Sequence, residues 1–347
     1  MAASTQPAGT APAVGAVAPT AEQPRMGHAF AAFVLAGLMG LQPITTDLML
    51  PALPALGSDL QAPMAAVQLT MSALILAFGL AQLVWGPVAD RYGRRPVLLA
   101  GLALYVLASA GAAMATSVAA VVAGRALQGA AMSAAVVCAR AMVRDLYEPH
   151  EGAMVMARAL TGLGAVAIAS PLVAGVLVAG FGWRAAVAAM GVVGAVMGTF
   201  IALRVPETSR HRRPEATRIG PLLRQMGLIL AHPGFRAWSA LVMASYGGLF
   251  IFLAGSGFVL IGVLKLSPAV AGMVMSTCSM AYIAGTLLCR RWIPRFGLAG
   301  AVRRAGWIPL AACIAQLGLA IQAQPGVLAV MAPVWLYALG HGVHMPC

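Results

Sequence analysis

Runs of about 20 consecutive apolar residues recur along this chain, and each is long enough to cross a hydrocarbon core of about 30 Å as a helix. Lipid offers a backbone no hydrogen-bond partner, so a span of this length must satisfy its own N–H and C=O groups, which selects the helix. Ten runs are read: His28 to Leu50, Ala65 to Val84, Pro96 to Ala115, Val118 to Ala139, Ala159 to Ala179, Ala185 to Leu203, Ala237 to Ile261, Pro268 to Cys289, Ala305 to Ile321 and Val327 to Cys347. Composition agrees: 61% of the 347 residues are hydrophobic and 9% charged, against about 25% charged in an ordinary soluble domain. The expected fold is an all-α integral membrane protein whose many Gly and Ala residues let helices approach closely.

Twenty-two basic residues face nine acidic ones, a balance that could suggest nucleic acid, but the placement of the cations points elsewhere. With the N-terminus in the cytoplasm, 19 of them fall on the cytoplasmic side, only Arg184 and Lys265 lie outside, and Arg125 falls within a span. That asymmetry is the positive-inside rule at work, so no nucleic-acid partner is expected. The partners are the bilayer and small molecules, and the chain is expected to be a multi-pass monomer of the inner (plasma) membrane.

The five cysteines, Cys138, Cys278, Cys289, Cys313 and Cys347, sit in or at the ends of spans without metal-finger spacing and read as small apolar residues. Residues 1–24, rich in Ala, Pro and Thr, lack the basic start of a secretory signal and read as a disordered tail. Residues 25–203 form a six-helix bundle. Residues 204–236 carry Arg204, Arg210, Arg212, Arg213, Arg218, Arg224 and Arg236 with four prolines and read as a basic cytoplasmic linker, and residues 237–347 form a second, incomplete bundle.

Between the second and third spans stands GPVADRYGRRPVLLAG, with four charged side chains from Asp90 to Arg95. A tight turn there calls on Gly86 and Gly93 for close approach and permissive backbone angles, and Pro96 suits the first turn of the next helix. Asp90 can pair with Arg94 and sit near helix N-termini, where a carboxylate gains about 0.3 to 1 kcal/mol. The second bundle echoes this core in the same topological place: Arg295, Phe296 and Gly297 correspond to Arg91, Tyr92 and Gly93, with Pro294 where Asp90 would be.

Gly86, Asp90, Arg91, Gly93, Arg94 and Arg95 match the G-x-x-x-D-R-x-G-R-[RK] signature of the major facilitator superfamily, and Arg125, Gln128 and Gly129 match its Arg-x-x-Gln-Gly motif on helix four. The phrases TDLMLPALP, RPVLLAG, ARAMVRDL and GHGVHMPC resemble drug:proton antiporters of the bicyclomycin- and chloramphenicol-resistance type. The resemblance implies proton-coupled export of small amphipathic compounds by alternating access, with no enzymatic activity and no cofactor. It also implies that the charged loop latches the two bundles together on the cytoplasmic side, with Asp145 at the end of helix four joining the network. The alternative for Arg91, Arg94 and Arg95 is that they fix topology and bind anionic headgroups. The helix-five antiporter signature is half kept, as Ser170, Pro171, Ala174 and Gly175. The family has twelve helices and this sequence ends in its tenth, so six helices plus four, a truncated arrangement, are expected.

Asp47 is the one acidic residue inside a predicted span. A charge at the bilayer centre costs about 2.5 to 3.5 kcal/mol on insertion scales, so Asp47 either works in the cavity between bundles, exchanging a proton for substrate, or lies near the outer interface in water. Gln42, Pro43, Thr45 and Thr46 add polar and helix-loosening groups beside it. Arg125, well inside helix four, needs a partner: Asp47, in a pairing that changes with state, or backbone carbonyls. The expected proton-coupling and cavity set is Asp47, Arg125 and Gln128.

Rival readings are a nutrient or metabolite transporter of the same fold, an inactive carrier fragment, and, from another class, an intramembrane metalloprotein using His341 and His344. Those histidines share a helix face, but Cys347 drifts off it and no carboxylate completes a site, so no metal is expected.

Overall fold

The computed structural model describes residues 26–209, 212–319 and 326–344. The expected tail at residues 1–24, together with Arg25, Arg210 and Cys347, lies outside them. Helix α1 (His28–Asp47) runs through a 3-10 turn (Leu50–Ala52) into the short α2 (Leu53–Asp59), and then come α3 (Met64–Tyr92), α4 (Arg94–Ala113), α5 (Val118–Leu146), α6 (Pro149–Phe181) and α7 (Trp183–Arg204). Past a second 3-10 turn (Pro214–Thr217) follow α8 (Ile219–Ala231), α9 (Pro233–Gly257) ending in a π turn (Phe258–Val263), α10 (Pro268–Leu319) and α11 (Val327–His344).

Nine segments among the described residues are long and apolar enough to cross a membrane, and they coincide with nine of the ten runs read in the sequence. The described part of the remaining run (Ala305 to Ile321), residues 305–319, belongs to the second limb of α10, which breaks at Gly297 (φ 68°, ψ 171°). Large apolar side chains are plentiful on the outside as well as in the core: Phe33, Leu107 and Ile251 are 63%, 68% and 78% exposed. Water would penalise such a surface by about 25 cal/mol per Å². Hydrocarbon does not.

Helices α1 and α3 to α7 pack together, with α3 against α5, α4 against α5 and α7, and α1 against α6; α9, α10 and α11 form the second group, with α10 lying along α11. Ser117 caps α5 by accepting the Ala120 N–H at 3.3 Å.

Two expectations about local structure are corrected. The charged stretch is not a loop from Gly86 onward: α3 continues to Tyr92, placing Asp90 and Arg91 on its last turn, so the turn shrinks to Gly93. Gly86 lies within that helix and a Cβ there would meet nothing within 4 Å, so no close approach in this structure calls for it. The stretch 204–236 is also more than linker. It holds a 13-residue helix, α8, because Ile219, Leu222, Leu223, Met226, Ile229 and Leu230 recur at helical spacing among its prolines and arginines.

Candidate functional site

At the α3–α4 junction the glycine does two things. Its φ of 105° with ψ of 160° is backbone that essentially only glycine adopts. Its bare Cα also leaves room for Glu207, whose Oε2 would collide with a Cβ there. Glu207 caps α4: its carboxylate accepts the backbone N–H of Arg94 at 2.9 Å and of Arg95 at 3.2 Å, and those of Thr208 and Ser209 at 2.9 Å. An anion gathering orphan donors at a helix N-terminus is favoured by charge and dipole together.

Around this cap the arginines find separate partners. Arg94, with its side chain 11% exposed, pairs with Asp90 at 2.5 Å and with Asp145 at 3.0 Å, so the end of α3 is tied to the end of α5. Arg95 donates to the Ala202 carbonyl at 2.6 Å and Arg91 to the Thr217 hydroxyl at 2.6 Å, and the Arg213 N–H reaches the Asp90 carbonyl at 2.8 Å. Asp145 thus shares Arg94 with Asp90. Every one of these partners belongs to the first six spanning helices or the stretch after them, and none to α9, α10 or α11.

Arg125 lies fully buried on α5. Its Nη1 donates to Gln128 Oε1 at 2.5 Å and its Nη2 to the Thr45 backbone carbonyl at 2.8 Å, with the Met190 and Met71 sulfurs at 3.4 and 3.7 Å. Gln128 Nε2 donates onward to Ser109 at 2.6 Å, and the Thr45 hydroxyl shares a 2.6 Å bond with Tyr105. This knot fastens α1, α4 and α5 inside the first bundle. Arg125 Nε is buried without a partner, so one donor of the guanidinium is unspent.

Asp47 is not in that knot. Residues 45 and 47 stand about 200° apart round a helix, so while Thr45 turns to Tyr105 and Arg125, Asp47 turns away. It is half-buried and takes a 2.9 Å bond from Thr46. The carbonyl tie to Arg125 is therefore the arrangement present in this conformation, and Asp47 stands on the other side of α1 from it.

Pro171 and Gly175 come together with that group. A Cβ on Gly272 would collide with the Pro171 carbonyl oxygen, and one on Gly175 would stand 2.7 Å from that of Pro268, so α6 and α10 touch backbone to backbone. The seam continues through Ser276 and Ser279, whose hydroxyls donate to Ile168 and Ala167 carbonyls at 3.0 and 2.9 Å. At the same end a Cβ on Gly257 would collide with the Leu50 carbonyl oxygen. Asp59 there binds Trp183 Nε1 at 3.0 Å and forms an ion pair with Arg184. The two helix groups thus meet at the end opposite the arginine network.

His341 and His344 diverge. His341 is buried, with Nδ1 2.7 Å from the Ser245 hydroxyl and the Tyr246 ring edge-on at 4.8 Å, whereas His344 Nε2 is 3.3 Å from the Val302 carbonyl. Among the described residues no three His, Cys, Asp or Glu side chains converge to hold a metal, and Cys347 lies outside them. Sequence reasoning did not reach Glu207, Tyr105 or Ser245. For Glu207 a signal existed: an acidic residue just past the sixth span, available to a helix that begins Arg94-Arg95-Pro96.

Residues 29–347 match the Major Facilitator Superfamily profile. An "Uncharacterized MFS-type transporter YdgK" of Bacillus subtilis is 30% identical over 292 residues, 84% of this chain and 71% of the relative. A "Chloramphenicol resistance protein" of Pseudomonas aeruginosa is 29% identical over 295 residues, covering 85% and 69%. "Multidrug resistance protein D" of Escherichia coli is 31% identical over 232 residues, covering 66% and 57%. Among solved structures, the E. coli xylose transporter XylE in a partially occluded inward-open conformation superposes with a TM-score of 0.70 at 15% identity, over 92% of this chain and 85% of that one. The nucleoside transporter NupG gives 0.68 at 16% identity, over 90% and 80%. At such identities the likeness concerns fold alone. Fold, motifs and profile agree: this chain is a multi-pass membrane protein that belongs to the major facilitator superfamily.

Proposed function

We propose that the chain exports small amphipathic drugs in exchange for protons, as a monomer in the inner membrane with its N-terminus and the arginine network in the cytoplasm. The names of its relatives, chloramphenicol resistance and multidrug resistance, support drug export. In this reading residues 25–203 and 237–347 are the two rocking bundles and residues 204–236 connect them. The seam supports alternating access: the bundles touch along α6–α10 and at Leu50–Gly257, while the Arg94 network at the other end engages its own bundle and the connecting stretch but not α9, α10 or α11. That is the geometry of a carrier open toward the cytoplasm.

One observation carries the coupling hypothesis. Asp47 stands on the side of α1 away from the Arg125 knot, and of the nine acidic residues none follows Glu215, so α9, α10 and α11 carry no carboxylate side chain of their own. Asp47 carries the proton, and Arg125, held on α5 at the carbonyl of Thr45 two residues before Asp47 and with Nε unspent, receives the carboxylate in another state. Gln128 orients Arg125. In everted vesicles, Asp47→Asn is expected to abolish proton-driven drug uptake while the amount of protein in the membrane is unchanged. Uptake equal to the parent chain would remove Asp47 from the mechanism.

A further inference from the structure

Helix α8 takes no part in either bundle's core, and not one of its 13 residues is buried. On a helical wheel Ile219, Leu222, Leu223, Met226, Ile229 and Leu230 fall within one arc of about 120°, with Arg224 opposite it and Gln225 at its flank. The arc is bare: Ile219, Leu223 and Leu230 are 70%, 60% and 57% exposed. Leu228 alone among the large apolar residues stands on the other side.

Both ends of α8 are held at one face of the molecule. Just before it, Thr217 takes the Arg91 hydrogen bond and Arg213 binds the Asp90 carbonyl, which fixes its start beside the end of α3. Just after it, Pro233 begins α9, whose far end meets Leu50 at the opposite face. A helix of this length spans about 20 Å. Tethered at both ends, α8 must therefore run across the face where the spanning helices emerge, at the level of lipid headgroups. Its surroundings are basic: Arg212, Arg213, Arg218, Arg224 and Arg236 stand against Glu215 alone, which pairs with Arg218 at 3.1 Å.

We propose that α8 is an interfacial helix that docks its apolar arc into the bilayer surface and holds anionic phospholipid headgroups with its arginines. An apolar arc on a polar, basic helix lying in the membrane plane is what such binding needs, and cations within a Debye length of an anionic leaflet add attraction that a neutral leaflet does not supply.

Spin labels on the full chain test this. With Cys313 and Cys347 changed to serine, Leu223→Cys marks the arc and Leu228→Cys the opposite face, each reconstituted in nanodiscs of phosphatidylcholine alone or with phosphatidylglycerol. The label at 223 is expected to favour collisions with oxygen over a polar nickel chelate severalfold more than the label at 228. That contrast should widen with phosphatidylglycerol, and the widening should vanish in Arg218→Gln/Arg224→Gln. Equal nickel access at both sites would overturn membrane docking. Shielding of both sites from both reagents would overturn it in favour of a protein cover, and a contrast indifferent to lipid charge would overturn headgroup recognition.

Discussion

The chain leaves α3 at Gly93 with φ 105° and ψ 160°, and it leaves the first limb of α10 at Gly297 with φ 68° and ψ 171°. Each glycine follows an Arg-aromatic pair and each ends the second spanning helix of its half, so two regions of the molecule share a backbone shape. Their chemistry differs. Around Gly93, three carboxylates, those of Asp90, Asp145 and Glu207, gather arginines and N–H groups into one network. Around Gly297, Arg290, Arg291, Arg295, Arg303 and Arg304 are all exposed, and Arg304 merely lies over the Phe296 ring at 3.8 Å and donates to the Gly300 carbonyl at 3.2 Å. Glycine alone makes the turn; carboxylates make it a joint.

The sharpest way to break this comparison is to substitute both glycines. Gly93→Ala and Gly297→Ala each force a side chain into a glycine-favouring region, a strain of about 1 to 3 kcal/mol. Only at Gly93 would the new methyl also push Glu207 off the α4 N-terminus; at Gly297 nothing lies within 4 Å. Thermal unfolding in detergent should therefore show Gly93→Ala as the larger loss, with a lower melting temperature than Gly297→Ala. Equal losses would mean that the Glu207 cap adds nothing.

Next in size is removal of one carboxylate. Arg94 is nearly enclosed, and Asp145 is 23% exposed, so Asp145→Asn leaves a poorly solvated guanidinium with Asp90 alone. Between the values for buried and surface pairs, the expected cost is about 1 to 2 kcal/mol. Arg295→Gln at the other turn should stay within about 0.5 kcal/mol, as exposed substitutions do. A melting temperature for Asp145→Asn indistinguishable from that of Arg295→Gln would show that the first network contributes no stability.

How far the sequence reveals all this depends on the kind of signal. Hydropathy marks the spans because lipid imposes length and apolarity on each one separately. The charged signature, the half-kept Pro171 and Gly175 and the echo at Gly297 are visible because turn and contact glycines are residue types with a local meaning. Of the Arg125 partners, Gln128 stands in the same motif, but the carbonyl of Thr45 is not visible, because a backbone acceptor leaves no trace in residue type. Nor is the pairing of Ser245 with His341, which depends on how two distant helices rotate against each other. Gly86 reads as a turn residue only because helix α3 is taken to stop at Val84, and α8 is hidden by prolines and arginines that resemble a linker's.

The smallest effect tests whether the two turns are equivalent in side-chain register as well as in backbone. Asp90 and Arg94 meet across Gly93 rather than along one continuous helix, so their contact is a property of the turn's shape. At the second turn the corresponding positions hold Pro294 and Leu298. Replacing Pro294 also restores an N–H to the helix, so the pair must be isolated in a cycle whose members all lack the proline: Pro294→Asn or Pro294→Asp, each combined with Leu298→Gln or Leu298→Arg. If the turns are alike, Pro294→Asp and Leu298→Arg should couple by about 0.3 to 0.5 kcal/mol, the worth of an exposed ion pair, read from melting temperatures and diminished by salt. A coupling of zero would mean that the difference in φ between Gly93 at 105° and Gly297 at 68° is enough to turn the two positions apart, and that the second turn repeats the first in backbone only.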